Sequence, residues 1–502
     1  MRITKGIFSF GAVLVAACVA TTSAAISQEP AQGSPIGDAA ILRDSGRFSE
    51  AIDVLRRHRA LNPEDGDAIR MLAQTLYWNK DVRGARALYD SGLVLHPADT
   101  ALRLQYAQTL METGGLARAR EVLDPLVSGS PPDPRATALV GTLAYWEGDL
   151  TSARRNFEKA LAADPSLKDA RRQLDEIRWL SATWIRTAAL GSSDDQPVKS
   201  IGGEVETGYY MNPLWSVCGK VRTLFLTEST TTNPNVSSTD LTTLAGSVGI
   251  SGFIPSSGVD ISARAGLFNR NVPSKLDWTG NADLGAKAGS FVRAGVRAER
   301  APYLYTEASL RTHVMTTTVG ALLDVDRKGW LGKAAYDRQR FADDNSVSTA
   351  YAWAMAPVVR SAVTTLQAGY SISYQNADEL RFVRNSVGLT GHYEPYYTPS
   401  NTFVQSVIGA FTGRGESGFT ARLGGSFGFK AKEDAPAFAV APNGSFILVT
   451  SNRSFHPWNA RASVEKSLTN QTLLRAHVDY AKTAFYHVTN AVVELTWRLG
   501  PG

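Results

Sequence analysis

The residues of this chain that could meet a ligand fall into two sets with different spacing. Early in the chain stand Arg70, Gln74, Tyr77 and Trp78, then Leu104, Gln108 and Met111, then Arg135, Thr142, Tyr145 and Trp146. The two Tyr-Trp pairs are separated by two steps of 34 residues. Aromatic rings presented in this way stack on sugar rings or hold an apolar peptide anchor. The other reading of each pair is packing between neighbouring units. Later, charged residues alternate with apolar ones: Glu204, Glu206, Lys220, Arg222, Arg264, Lys287, Arg293, Arg297, Glu299, Arg475 and Arg498. On strands, such residues share one face of a wall. For each of them a salt bridge that only holds the wall in shape is the competing role.

Neither set has the form of an active site. There is no HExxH, GxSxG, Walker or dinucleotide signature, and the seven histidines lack metal-ligand spacing. Ser463-Val464-Glu465-Lys466 fits SxxK and Lys482-Thr483-Ala484 is close to KTG, but both lie in segments with strand alternation. In a strand Ser463 and Lys466 point to opposite faces, whereas the acyl-enzyme motif needs them one helical turn apart. The expectation is a protein that is not an enzyme and uses no metal or cofactor. A net charge of +5 without a clustered basic stripe also argues against nucleic acid as a partner.

The elements that must position the first set repeat every 34 residues. Closing prolines stand at Pro63, Pro97, Pro131 and Pro165, and small residues at Ala51, Ala85, Ala119 and Ala153. Each unit reads as a helix, a break and a second helix. The break is Gly46, Lys80, Gly114 and Gly148; glycine supplies the positive φ of a tight turn, and Lys80 marks the unit without one. Ala39, Ala73, Ala107 and Gly141 are small where the paired helix crosses, with Leu55, Tyr89, Leu123 and Phe157 packing further along. Pro35 and Asp38 predict a short opening helix. Asp169 to Leu180 reads as a charged helix that caps the stack.

These residues resemble the tetratricopeptide repeat over four units. The resemblance implies an α-solenoid over residues 35–180 that binds partners on its concave face.

Past Trp184 the period changes from helical to two. Val493, Leu495, Trp497 and Leu499 share one face and Val492, Glu494, Thr496 and Arg498 the other. The same alternation recurs along Leu474 to Tyr480, Ala282 to Ala288 and Glu204 to Tyr209. With about 14–16 candidate strands and alternating short and long connections, such as Glu228 to Asp240, the pattern fits a transmembrane antiparallel β-barrel over 181–502. Tyr209, Tyr210 and Trp215, and Tyr393, Tyr396 and Tyr397, are placed near strand ends as an interfacial girdle. A barrel of that size leaves an aqueous channel lined by the second set.

The beginning of the chain agrees with that destination. Residues 1–25 read as an export signal, with Arg2 and Lys5 before the apolar run Gly6 to Ala20 and a small-residue cleavage site at Ser23-Ala24-Ala25. The run is about 15 residues, short of the ~20 a spanning helix needs. Val15-Ala16-Ala17-Cys18 also fits a lipobox, so lipidation and removal of Cys18 both stay open. Residues 26–34 read as a linker. The fold class is thus α + β multidomain: a signal, four tetratricopeptide units with a capping helix, and the barrel.

This order resembles outer-membrane exporters of secreted polysaccharides, of the cellulose synthase exporter type and the poly-N-acetylglucosamine porin type. Gly391-His392-Tyr393-Glu394-Pro395-Tyr396-Tyr397 resembles a Gly-Tyr-Phe-Ser-Pro-like stretch of the cellulose family's barrel, and Asn490 to Leu499 is similar to its terminal strand. Cellulose-type exporters carry many more than four repeats. The resemblance implies an outer-membrane pore with periplasmic repeats. Its partners would be outer-membrane lipid, a linear polysaccharide, and periplasmic or inner-membrane proteins. An adaptor with a closed barrel, an outer-membrane enzyme and a soluble periplasmic β domain remain as alternatives.

Overall fold

The computed structural model describes residues 34–502 apart from 196–197, 229–239, 290, 328, 416–417, 485 and 501–502, and apart from the side chains of 228 and 307. The export signal, Cys18, nearly all of the linker and most of the Glu228 to Asp240 loop lie outside the described residues. The chain divides into two compact units between Arg178 and Trp179.

The first unit is helical. Its repeats are α1 (Pro35–Asp44) with α2 (Phe48–Leu61), α3 (Gly66–Trp78) with α4 (Val82–Leu95), α5 (Thr100–Glu112) with α6 (Leu116–Val127), and α7 (Pro134–Glu147) with α8 (Leu150–Ala163). The capping helix α9 (Lys168–Leu180) follows. The opening helix has 10 residues against 13 or 14 for α3, α5 and α7. An aspartate two places after each of the first three prolines caps the next helix: Asp65, Asp99 and Asp133 accept from N–H groups of α3, α5 and α7. Such a cap contributes ~1 kcal/mol.

The small residues are small because a neighbour fills the space. Ala39, Ala51, Ala73, Ala85, Ala107, Ala119 and Ala153 are fully buried, and a Cβ on Gly141 would stand 2.8 Å from the Phe157 ring. The turn at Lys80 is made without glycine. Lys80 has φ 69°, close to 78° at Gly46 and 84° at Gly148, so the left-handed turn is kept and lysine itself adopts it.

The second unit is a closed antiparallel β-barrel. Its first eight strands are β1 (Thr183–Asp194), β2 (Val198–Asn212), β3 (Trp215–Glu228), β4 (Asp240–Ile254), β5 (Val259–Asn271), β6 (Ser274–Ala288), β7 (Val292–Pro302) and β8 (Met315–Arg327). Then come β9 (Trp330–Phe341), β10 (Ser346–Arg360), β11 (Thr364–Ala377), a small hairpin β12 (Phe382–Arg384) and β13 (Gly391–Tyr393), and β14 (Thr402–Arg414). The last are β15 (Phe419–Val440), β16 (Phe446–Phe455), β17 (Trp458–Ser467), β18 (Thr472–Lys482) and β19 (His487–Leu499). β19 pairs with β1 from Thr183↔Leu499 to Asp194↔Val488, which closes the ring.

Seventeen strands share the main sheet, but β16 pairs only with residues 431–440 of β15, while residues 419–427 of β15 pair with β17. The wall therefore has 16 strands, and β15–β16 continue beyond it as a ribbon. The start of β1 and the end of β19 meet at one rim, the near rim, where the turns are short. The long connections gather at the far rim. Among the described residues no helix is long and apolar enough to cross a membrane.

Alternation sorts the two faces as the period of two requires. Ile201, Val205 and Tyr209 on β2, Val217, Val221 and Phe225 on β3, Leu244 and Val248 on β4, and Val493 and Leu499 on β19 are exposed on the outside. Their neighbours Glu204, Glu206, Lys220, Arg222 and Glu494 point inward.

Candidate functional site

At mid-height the lumen wall is held by a buried charge cluster. Arg186 on β1 contacts Glu204 at 3.0 Å, Glu206, and Glu494 at 3.5 Å; Lys220 lies 2.6 Å from Glu204 and Arg264 2.6 Å from Glu206. Arg264 also reaches Cys218 Sγ at 3.3 Å. Cross-strand register brings this set to one level, because Glu206 stands opposite Arg186 on β1 and opposite Lys220 on β3, and Lys220 reaches diagonally to Glu204. Removing one member of such a buried cluster leaves an uncompensated charge, at a cost of ~3–5 kcal/mol.

Charge pairs of the same kind recur on β5 to β9 and on β17 to β19. Arg293 pairs with Asp260 and stands 3.7 Å from Asp324, and Arg297 pairs with Asp337. Arg475 is 2.6 Å from Glu465 and 3.5 Å from Glu494. Of the expected lumen residues, Glu204, Glu206, Lys220, Arg264, Arg293, Arg297 and Arg475 thus belong to the paired wall. Lys287 lies 5.2 Å from the centroid of Phe253. Arg222 and Glu299 face the lumen and are exposed within it.

Arg498 departs from expectation. It has lumen parity, but at the near rim its guanidinium covers the Trp179 ring at 3.9 Å and donates to the Trp179 carbonyl, so it closes the seam rather than lining open channel. The carboxylate partners Asp260, Asp324, Asp337 and Glu465, and Arg186 itself, were not singled out by sequence. Ser463, opposite His477 on β18, makes no hydrogen bond to it among the described residues, and Lys466 lies on the outer parity.

The far mouth is crossed by two connections that sequence did not foresee. The β7–β8 connection contains α10 (Glu307–Arg311), whose Leu310 is fully buried against Val198, Leu226 and Leu241. Those three residues are the inward-facing ends of β2, β3 and β4, so α10 lies inside the mouth. Arg270, buried on β5, donates to the Leu310 carbonyl, and His313 contacts Asp277 on β6.

The β11–β14 connection, residues 378–401, lies against the first. Thr306 donates to the Pro395 carbonyl at 2.5 Å and the Tyr397 N–H to the Tyr303 hydroxyl at 3.3 Å. Tyr396 stacks on Phe341 at 3.5 Å, and its hydroxyl donates to Asp343 at 2.7 Å, where Arg381 is also bound at 2.9 Å. Burial pushes the Asp343 carboxyl up, but Tyr396 and Arg381 outweigh it and hold the group below the usual carboxylate range. Burial and Asp343 raise the Tyr396 phenol to about 12. Tyr393, Tyr396 and Tyr397 are therefore parts of this plug and not of an outer girdle. They were misplaced because aromatic residues near strand ends serve both purposes.

On the repeats, Met111 is 6% exposed and belongs to the core, since it follows Ala107 by one turn on the same helical stripe. Leu104 and Trp146 pack against that core from its edge. Tyr77 donates to Glu112, and burial together with this bond raises its phenol to about 12; Tyr145 bonds Glu176 in the same way. Both tyrosines thus tie a helix to a later one. Trp78 packs edge-on with Phe48 at 6.2 Å under Arg43, which also donates to Gln74 at 3.3 Å. Arg70 is paired with Asp67 and lies 3.6 Å from Asp99, and Thr142 donates to Gln173 at 3.2 Å. Gln108 and Arg135 stay exposed.

A tetratricopeptide-repeat unit followed by a closed 16-strand β-barrel is the class these features define. The tetratricopeptide-repeat family matches residues 42–99 and 79–143. Among solved structures, a bacterial polysaccharide outer membrane secretin is similar at 12% identity and a TM-score of 0.45, over 64% of this chain and 99% of that one. MamA from Desulfovibrio magneticus RS-1 is similar at 21% identity and a TM-score of 0.25, over 29% of this chain and 84% of that one. YrrB, a tetratricopeptide protein with an unusual peptide-binding site, is similar at 20% identity and a TM-score of 0.26, over 28% of this chain and 73% of that one. No curated protein matches the chain by sequence.

Proposed function

We propose that the protein is an outer-membrane pore for a secreted polysaccharide, with its repeats in the periplasm as a docking scaffold. The observation that carries the reading is the sidedness of a closed 16-strand wall. Aliphatic and aromatic residues such as Ile201, Val248 and Trp278 are 60% exposed or more on the outside, while the ion pairs of the wall lie inside. Each such side chain left in water forgoes ~1.5–3 kcal/mol of burial, which hydrocarbon would restore. A closed barrel leaves no backbone donor unpaired in lipid, and 16 strands leave room for an aqueous channel. The order of signal, repeats and barrel, which resembles polysaccharide exporters, supports the choice of cargo.

In this reading the repeats recruit a periplasmic or inner-membrane protein, and the barrel passes polymer without reacting with it. Deleting the gene should abolish the secreted polysaccharide, and the intact gene should restore it. Unchanged secretion would refute the cargo. The plug favours one other reading, an adaptor whose barrel only anchors the repeats. That reading requires that the lumen stay closed after the plug is loosened.

A further inference from the structure

The lumen has one sector without charge. β10, β11 and β14 contain no Asp, Glu or Lys, and their only arginines, Arg360 and Arg414, are the last residues of their strands at the near rim. On β10, Ala350 and Ala354 face outward, which turns Tyr351 and Trp353 inward. The ladder fixes the side: Trp353 pairs with Lys333, which lies 3.7 Å from the lumenal Asp324, and Tyr351, two residues earlier, shares its face.

Successive inward residues on a strand stand ~6.6 Å apart, comparable to one pyranose unit. Opposite Tyr351 and Trp353 on β11 are Ser373 and Ser371. In a ring of 16 strands β10 stands across from β2, so this stripe looks toward Glu204 and Glu206. Those carboxylates are already bound by Arg186, Lys220 and Arg264. An anionic polymer needs free cations in line, and here most lumenal arginines are neutralised by their own carboxylates. A flat apolar ring bordered by hydroxyl groups suits a sugar instead, with the C–H face on the ring and the hydroxyls at its edge.

We infer that Trp353 and Tyr351 form a stacking site for an uncharged glycan, which rests on the reading of the barrel as a polysaccharide pore. Binding can be measured without conduction. Detergent-solubilised full-length protein is titrated with cellohexaose, maltohexaose and N-acetylchitohexaose, and with hexagalacturonate as the anionic comparison, by calorimetry. At least one neutral hexamer should bind; Trp353→Ala should weaken it about tenfold, and Trp353→Phe, which keeps a ring, much less. Heat-modifiable gel migration of each variant checks that the barrel is intact.

Hexagalacturonate binding as tightly as the best neutral hexamer, no neutral hexamer binding, or Trp353→Ala leaving affinity unchanged would each overturn the inference. If Trp353→Ala loses the barrel, Trp353→Phe and Tyr351→Phe decide: equal losses of tenfold or more in both would overturn ring stacking. Conductance of the same preparations is read separately. A protein that binds neutral sugar at Trp353 but never conducts keeps the site and loses the pore.

Discussion

Arg270 on β5 donates to the backbone carbonyl of Leu310, and this bond fastens α10 inside the far mouth of the barrel. Arg270 is 1% exposed and Leu310 fully buried, so the two are set in a dry seat made by Val198, Leu226 and Leu241. A hydrogen bond from a charged donor is worth ~1.5–3 kcal/mol. Arg270→Met keeps the bulk and removes the donor. Amide exchange across residues 303–314 should then accelerate roughly ten- to hundredfold, with β2–β4 unchanged. Mass-resolved exchange on the solubilised protein reads this, and unaltered protection would mean that the apolar seat alone holds the loop.

The second connection should respond to acid. The Asp343 carboxyl is held below its ordinary value by Tyr396 and Arg381 against the push of burial. A depressed carboxylate contributes stability above its unfolded pKa of about 3.9, which is lost as pH falls through the lower folded value. A spin label at Val387→Cys, in a Cys218→Ser background, should therefore keep its mobility from neutral pH down to about pH 5 and gain mobility below about pH 4. Asp343→Asn should be mobile at neutral pH already and lose that acid step. Equal acid responses in both proteins would remove Asp343 from the plug's hold.

The charge cluster at mid-height gives a stability test of the wall. Arg186→Met leaves Glu204 and Glu206 short of a cation while Lys220 and Arg264 remain. The expected loss is ~3–5 kcal/mol, because two buried carboxylates lose their shared partner. The temperature at which the band shifts in an unboiled detergent gel should fall clearly for Arg186→Met and much less for Arg222→Met, whose guanidinium is exposed. Equal shifts would mean that the cluster adds nothing to the wall.

Much of this was legible from residue order. Helical period and closing prolines located the repeats, and a period of two located the strands and the lumenal face of Glu204, Glu206, Arg264 and Arg475. What stayed hidden depends on register or on loops. Asp260 and Asp337 meet Arg293 and Arg297 across 33 and 40 residues, a pairing fixed by how neighbouring strands align. Trp353 faces the lumen from a strand whose alternation, alanine against aromatic, has no charged member to mark its inner side. The plug segments have no period at all, so Tyr396 read as a membrane-interface residue although it stacks on Phe341. Met111 was misread because the same turn spacing that brings groove residues together also lines the core.

In the repeats, Phe157 fills the space opposite Gly141 and is fully buried. Phe157→Ala should cost ~3–5 kcal/mol through lost burial and the cavity left behind. The helical circular dichroism signal of the full protein should melt earlier, while heat-modifiable migration of the barrel stays as in the parent. Simultaneous loss of both signals would contradict the division into two units.

Planar-bilayer recording of the full-length protein tests the pore most directly, with the parent and Arg270→Met compared under the same conditions. The prediction is a mostly closed parent with rare openings, and frequent discrete steps in the variant whose plug is loosened. Silence from both proteins, although each migrates as a folded barrel, would contradict the pore and leave the repeats on a closed anchor.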